Sequence, residues 1–231
     1  KAPAPRLKAK SQIRSGKKVT SRKEKAVLKT LKDYCVNMIS SAKNGDYSPV
    51  IGREFETRRI IQILCRKSKN NPVVIGESGV GKTAIIEGLA QKMSRGDVPD
   101  FLKGADLYEL NMSKLVGGSA HRGDIEKRVN ELVEAIKSAP KKVILFIDEI
   151  HRFNKGQQDT LLADVERGVC ALIGATTENP SFELNAALLS RARVVRLRPV
   201  GVKEMVPVLR RALDDDVVGL GGRELEATDD A

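Results

Sequence analysis

Between residues 72 and 199 the chain alternates two hydrophobic patterns. Short apolar runs of strand length occur at 73–75, 107–110, 143–147, 171–173 and 194–197. Most are separated by stretches in which apolar residues recur every three or four positions, at 82–94, 125–137 and 157–167. That alternation predicts an α/β fold, a parallel five-stranded sheet with helices on both faces. Upstream, a helix is predicted from Ser21, where Glu24 completes a capping box, to the Asn44-Gly45 stop signal. Its apolar stripe is Val27, Leu28, Leu31, Cys35, Met38 and Ile39. A second helix is expected over about 53–67 and a last one at 202–213. No internal repeat is visible.

Composition narrows the class. Of 231 residues, 41% are hydrophobic and 31% charged, enough to bury a core and stay soluble, and no run reaches the roughly 18 apolar residues of a membrane span. Aromatic residues are 3% with no Trp, which argues against a carbohydrate cleft or a ring-stacking platform. Three cysteines, Cys35, Cys65 and Cys170, lie far apart without a CxxC pair; a disulfide framework and a zinc site are not expected, and a reducing cytoplasm is.

The net charge of +11 is local: residues 1–32 hold twelve Lys or Arg against the single acid Glu24, and the other 199 residues carry 29 of each sign. Residues 1–20, with Pro3 and Pro5, read as a basic disordered tail without the apolar stretch of a secretory signal. The missing initiator Met suggests a fragment or processed product. Such a tail attracts nucleic acid through counterion release.

The strongest chemical signal is Gly76-Glu77-Ser78-Gly79-Val80-Gly81-Lys82-Thr83, a complete GxxxxGK[ST] loop between a predicted strand and a predicted helix that begins with Ala84 and its neighbours. Its glycines let backbone N–H groups curl round an anion, and the helix N-terminus adds partial positive charge. Lys82 is placed to reach the β- and γ-phosphates of a nucleotide, and the Thr83 hydroxyl to ligate Mg²⁺.

A second signal is the run 143–147 ending in Asp148-Glu149. Adjacent carboxylates at a strand end point to opposite sides, so Asp148 can hold Mg²⁺ while Glu149 orients or deprotonates an attacking water. With the phosphate loop, this implies ATP hydrolysis. A third strand ends in Gly174-Ala175-Thr176-Thr177, where Thr177 can hydrogen-bond the γ-phosphate or the water.

Phosphate loop, Asp-Glu strand, Gly-Ala-Thr-Thr strand and downstream arginine, in that order, resemble the AAA+ ATPases over roughly residues 33–213. Residues 33–137 resemble the first ATPase module of Clp-type unfoldases and disaggregases, through Ser48-Pro49-Val50-Ile51-Gly52-Arg53, Lys69-Asn70-Asn71-Pro72 and Gly88-Leu89-Ala90-Gln91. Residues 143–199 resemble RarA/MgsA-type replication and recombination ATPases, through Asp148-Glu149-Ile150-His151-Arg152-Phe153-Asn154-Lys155 and Thr176-Thr177-Glu178-Asn179-Pro180-Ser181. A composite chain joined near 138–142 is therefore expected.

The resemblance implies a core at 21–199 and a partial, truncated helical lid at 200–231. It implies that Val50 and Ile51 border the adenine, that Thr177 senses the γ-phosphate, and that Arg191 reaches a neighbouring subunit's ATP, with Arg193 as second candidate. The stretch 117–124 corresponds to the substrate-gripping loop, with His121 where Clp-type proteins carry an aromatic residue. The implied partners are copies of the chain in a ring and an unfolded protein; the alternative partner is DNA, and a third reading is a nucleotide-binding fragment without turnover.

Overall fold

The computed structural model describes residues 22–117, 122–215, 219–221 and 223. The chain begins with α1 (Arg22–Tyr34), β1 (Cys35–Asn37), α2 (Met38–Asn44) and α3 (Glu54–Leu64). Then come β2 (Asn71–Ile75), α4 (Lys82–Arg95), β3 (Asp106–Leu110), α5 (Met112–Val116) and α6 (Arg122–Lys137). The remainder is β4 (Val143–Ile147), a 3₁₀ turn (Ile150–Arg152), α7 (Lys155–Glu166), β5 (Cys170–Thr176), α8 (Pro180–Glu183), α9 (Ala186–Ser190), β6 (Ala192–Arg196) and α10 (Val202–Asp214). Among the described residues no helix is long and apolar enough to cross a membrane.

All five predicted strands form, and a sixth joins them. The sheet order is β1-β3-β4-β5-β2-β6, parallel throughout except at β1, which runs antiparallel along β3 with Val36 opposite Glu109. The helix expected over 21–44 is therefore two helices interrupted by a strand. Cys35–Asn37 satisfies its backbone against the exposed edge of β3, and Asn37 then caps α2 by accepting the Ser40 N–H at 2.9 Å. The predicted stop holds: Gly45 ends α2 in the left-handed conformation, φ 83°. The proposed cap at Ser21 and the basic tail lie outside the described residues.

Both faces of the sheet are covered because its central strands alternate apolar side chains to either side. From β4, Val143, Leu145 and Ile147 join the core packed by α1, α6 and α7, whereas Ile144 and Phe146 join the core packed by α3 and α4. The two stretches expected to descend from different parents are interleaved. Strands β1, β3 and β2 come from the first and β4, β5 and β6 from the second, and the sheet order mixes them. Helices α6 and α7 are also tied across the expected join, by Lys137 Nζ to the buried Asp164 carboxylate at 3.3 Å.

Candidate nucleotide site

The phosphate loop leaves β2 at its C-terminal end and turns into α4 through Gly79 and Gly81, with φ of 78° and 91°. Those values favour glycine because an L side chain there clashes with its own backbone. Gly76 is constrained by space: a Cβ on it would lie 2.8 Å from Val80 Cγ2 and 3.1 Å from Leu197 O. At the start of α4, Gly81 supplies no side-chain cap and the first turn holds no acid, so its free N–H groups face the loop. Lys82 is buried, and its ammonium donates to Gly76 O at 2.9 Å and Glu77 O at 2.8 Å, which holds the charge inside the loop. Glu77 and Ser78 are exposed on the outer turn.

The second half of the chain meets this loop directly. Thr83 Oγ1 donates to Asp148 Oδ2 at 2.8 Å, across 65 residues. A hydroxyl and a carboxylate side by side are hard oxygen donors, the chemistry that suits Mg²⁺. Asp148 Oδ1 accepts the Glu149 N–H at 3.0 Å, and Glu149 takes a left-handed backbone, φ 51°. Its carboxylate is held by the Arg152 guanidinium, one 3₁₀ turn on. Glu109 of β3 lines the same recess as Asp148 and Glu149. Burial, reinforced by Asp148 and Glu87, pushes its carboxyl above the usual range.

Val50, Ile51, Gly79, Val80, Gly81 and Ala84 line one cavity of about 390 Å³, closed on its far side by Val208, Arg211 and Ala212 of α10. The sequence-predicted base-binding and phosphate-binding residues are thus brought together. Val50 packs on α4 at Gly88, where a Cβ would come within 3.0 Å of Val50 Cγ2.

The two threonines at the end of β5 part company. Thr176 is fully buried, its hydroxyl sharing a 2.9 Å hydrogen bond with His151 Nδ1 and accepting the Glu178 N–H at 3.0 Å. Thr177 is exposed. Arg191 caps α9 beside the N-terminal end of β2, at the opposite end of the strand from the phosphate loop, and donates to Glu166 Oε1 at 2.6 Å. Arg193 is exposed on β6. His121 and residues 118–120 of the expected gripping loop lie outside the described residues.

Three supporting side chains were not assigned roles from the sequence. Arg53, buried at 7% exposure, donates from Nη2 to Val80 O and to Arg198 O, each at 2.8 Å. Gln91 Nε2 donates to Tyr47 O at 2.9 Å and Ser48 O at 3.0 Å, fixing the segment that leads into Val50. Arg211 of α10 donates to Pro49 O at 3.2 Å. Arg53 and Gln91 stood inside quoted motifs, but their partners are backbone carbonyls, which leave no trace in residue identity.

Comparison with known proteins agrees with this geometry. The chaperone protein ClpB of Bacteroides thetaiotaomicron is 40% identical over 211 residues, covering 87% of this chain and 24% of ClpB. A match of that coverage runs across the expected join at 138–142. Among solved structures, a closed-state reconstruction of Hsp104 with ATPγS and FITC-casein superposes with a TM-score of 0.72 at 37% identity, covering 78% of this chain and 33% of that one. The Hsp104–ADP complex of S. cerevisiae gives 0.71 at 39% identity, covering 78% and 32%. The chain thus spans about a quarter of the length of its curated relative. The family model of the ATPases associated with various cellular activities matches residues 72–200, from the start of β2 past the end of β6. With more than half of its length inside that match, the chain belongs to the AAA ATPase family.

Proposed function

We propose that this chain is the ATP-hydrolysing module of a cytoplasmic protein-remodelling machine, working in a ring of identical subunits on unfolded polypeptide. The AAA family is a family of ATPases, so hydrolysis is the chain's own chemistry. The observation that carries the reading is the Thr83–Asp148 hydrogen bond, which brings the phosphate loop and the Asp148-Glu149 pair to one point. Remodelling is supported by the likeness to ClpB and to Hsp104 structures, one of which contains casein.

In this reading Val50 and Ile51 border the adenine, and residues 76–81 with the N-terminus of α4 receive the phosphates. Lys82 balances their charge. Thr83 and Asp148 would hold Mg²⁺, which when bound offsets negative charge on the phosphates. Glu149 accepts the proton of the water that attacks the γ-phosphate. With the Thr176 hydroxyl engaged by His151 and Glu178, Thr177 is the hydroxyl left at the end of β5 to read the γ-phosphate. Arg191 acts on the nucleotide of a neighbouring subunit. The test is ATP turnover against protein concentration, with unfolded casein or DNA added in parallel. A rate per subunit that climbs with concentration and is stimulated by casein is the expected result; a concentration-independent rate, or none, overturns it.

A second reading, DNA maintenance by a composite chain, is favoured by the RarA-like residues 148–155 and 176–181 and by the twelve cations of residues 1–32. Stimulation by DNA that disappears on deleting residues 1–20 supports that reading instead. Nucleotide binding with no turnover at any concentration leaves only a binding fragment.

A further inference from the structure

The N-terminal ends of β2, β4 and β5 enclose a cavity of about 440 Å³ that the ATPase reading does not use. It lies at the opposite end of the sheet from the phosphate loop. Lys142 and Asp148 flank β4 at its two ends, roughly 20 Å apart at ~3.3 Å per residue. Its charged lining is all cationic, Arg66, Lys67 and Lys142, with Phe101 and Cys65 beside them.

Lys142 is the informative member. Its ammonium lies 3.5 Å from the centroid of the Phe101 ring, and no carboxylate pairs with it among the described residues. The nearby acids are already taken: Asp100 by Lys103 at 2.8 Å and Asp106 by Lys141 at 3.3 Å. Partial burial depresses the affinity of Lys142 for its proton, offset only by Cys65. Arg66 is satisfied on one side alone, by a 3.4 Å contact from Nε to Ser68 O. A half-buried cation partnered, among the described residues, by a ring alone pays desolvation that an anion would recover. Two further cations on the same wall favour a ligand with several anionic oxygens over a single carboxylate.

We propose that this cavity binds a phosphoryl oxyanion, held by Lys142, Arg66 and Lys67. The group is carried either by a small free polyphosphate or by a nucleic-acid backbone.

Cys65 reports on the site independently of the phosphate loop. Cys65 and Cys170 both line the cavity and burial raises both thiols, but Cys65 is partly exposed, whereas Cys170, like Cys35, is buried. The experiment measures the rate of Cys65 alkylation by iodoacetamide, located by peptide mass, in the full chain with increasing inorganic pyrophosphate or a short single-stranded oligonucleotide. Saturable protection is expected, about tenfold weaker in Lys142→Gln and in Arg66→Gln, and unchanged in Lys82→Ala, which disables the phosphate loop. Protection by pyrophosphate identifies a small ligand; protection by the oligonucleotide alone identifies a nucleic-acid backbone. Alkylation indifferent to both, or protection lost in Lys82→Ala and kept in Lys142→Gln, overturns the proposal. Because ATP turnover plays no part in the readout, failure here leaves the ATPase reading untouched.

Discussion

Arg53 Nη2 donates to Val80 O at 2.8 Å, from the N-cap of α3 into the middle of the phosphate loop. The same nitrogen reaches Arg198 O just after β6, so one buried guanidinium joins the segment that follows Val50 and Ile51, the loop and the edge of the sheet. Removing it strands the buried Val80 carbonyl and releases the part-buried Arg198 carbonyl. Arg53→Ala is expected to cost about 2–4 kcal/mol of unfolding free energy and to raise the KM for ATP. Arg53→Lys recovers little, since an ammonium lacks the planar fork. Urea unfolding with and without nucleotide checks both; a change within about 0.5 kcal/mol would make the tie incidental.

Glu149 sits where a strand-end carboxylate can take a proton, with its N–H fixed on Asp148 and its carboxylate steered by Arg152. Glu149→Gln keeps shape and hydrogen bonding but removes the base. ATP affinity is expected to persist while kcat falls about 10²- to 10⁴-fold. Lys82→Ala is expected instead to abolish nucleotide binding, because the cation inside the loop disappears. Equilibrium binding of a fluorescent ATP analogue beside single-turnover hydrolysis separates the two. Parental turnover by Glu149→Gln would remove it from the mechanism.

The strands that bury both faces were readable because an uninterrupted apolar run such as 143–147 has few other ways to be satisfied. The phosphate loop was readable because its glycines are demanded by backbone geometry. β1 was not: Cys35-Val36-Asn37 continues a helical stripe, and only the free edge of β3, more than seventy residues away, draws it into a strand. Thr176 and Thr177 are equivalent in sequence, and only His151, folded back from the 3₁₀ turn, distinguishes them. Nor did the motifs reveal the order in which strands of the two dissimilar stretches alternate within the sheet, because strand order is fixed by packing between segments distant in sequence.

Arg191 stands at the N-terminal end of β2, roughly 16 Å along the strand from Gly76 at ~3.3 Å per residue, farther than an arginine side chain extends. The role proposed for Arg191 therefore requires a nucleotide on another subunit. Arg191→Ala is expected to bind ATP normally and to lose turnover about 10³-fold or more. Mixing it with Glu149→Gln subunits is expected to restore part of the rate, since each supplies what the other lacks. Glu166→Gln, which frees Arg191 from its 2.6 Å partner, is expected to alter turnover without altering binding. No restoration across a range of mixing ratios would argue that Arg191 merely anchors α9 to α7.

Burial pushes the Cys35 and Cys170 thiols from a usual value near 9 up to about 12. Glu109 adds to the effect at Cys35, where Lys114 opposes it, and Asp164 adds to it at Cys170. Between those values the unfolded chain has released both protons while the folded chain keeps them, so the unfolded state binds fewer protons and stability falls as pH rises. The contribution is intact below about pH 9 and disappears as pH approaches 12. Each thiol accounts for about 1.4 kcal/mol per pH unit, together about 2.7. Tyr34, Tyr47 and Tyr108 are raised in the same direction from a higher starting value, so the thiols dominate just above pH 9. Urea midpoints measured at close pH intervals there are expected to slope downward. Cys35→Ala and Cys170→Ala, small truncations that remove the titrating group, each flatten the slope, and what remains in the double variant belongs to the tyrosines and to Cys65, whose thiol burial also raises. A slope unchanged in the double variant would mean that neither thiol stays protonated in the folded chain.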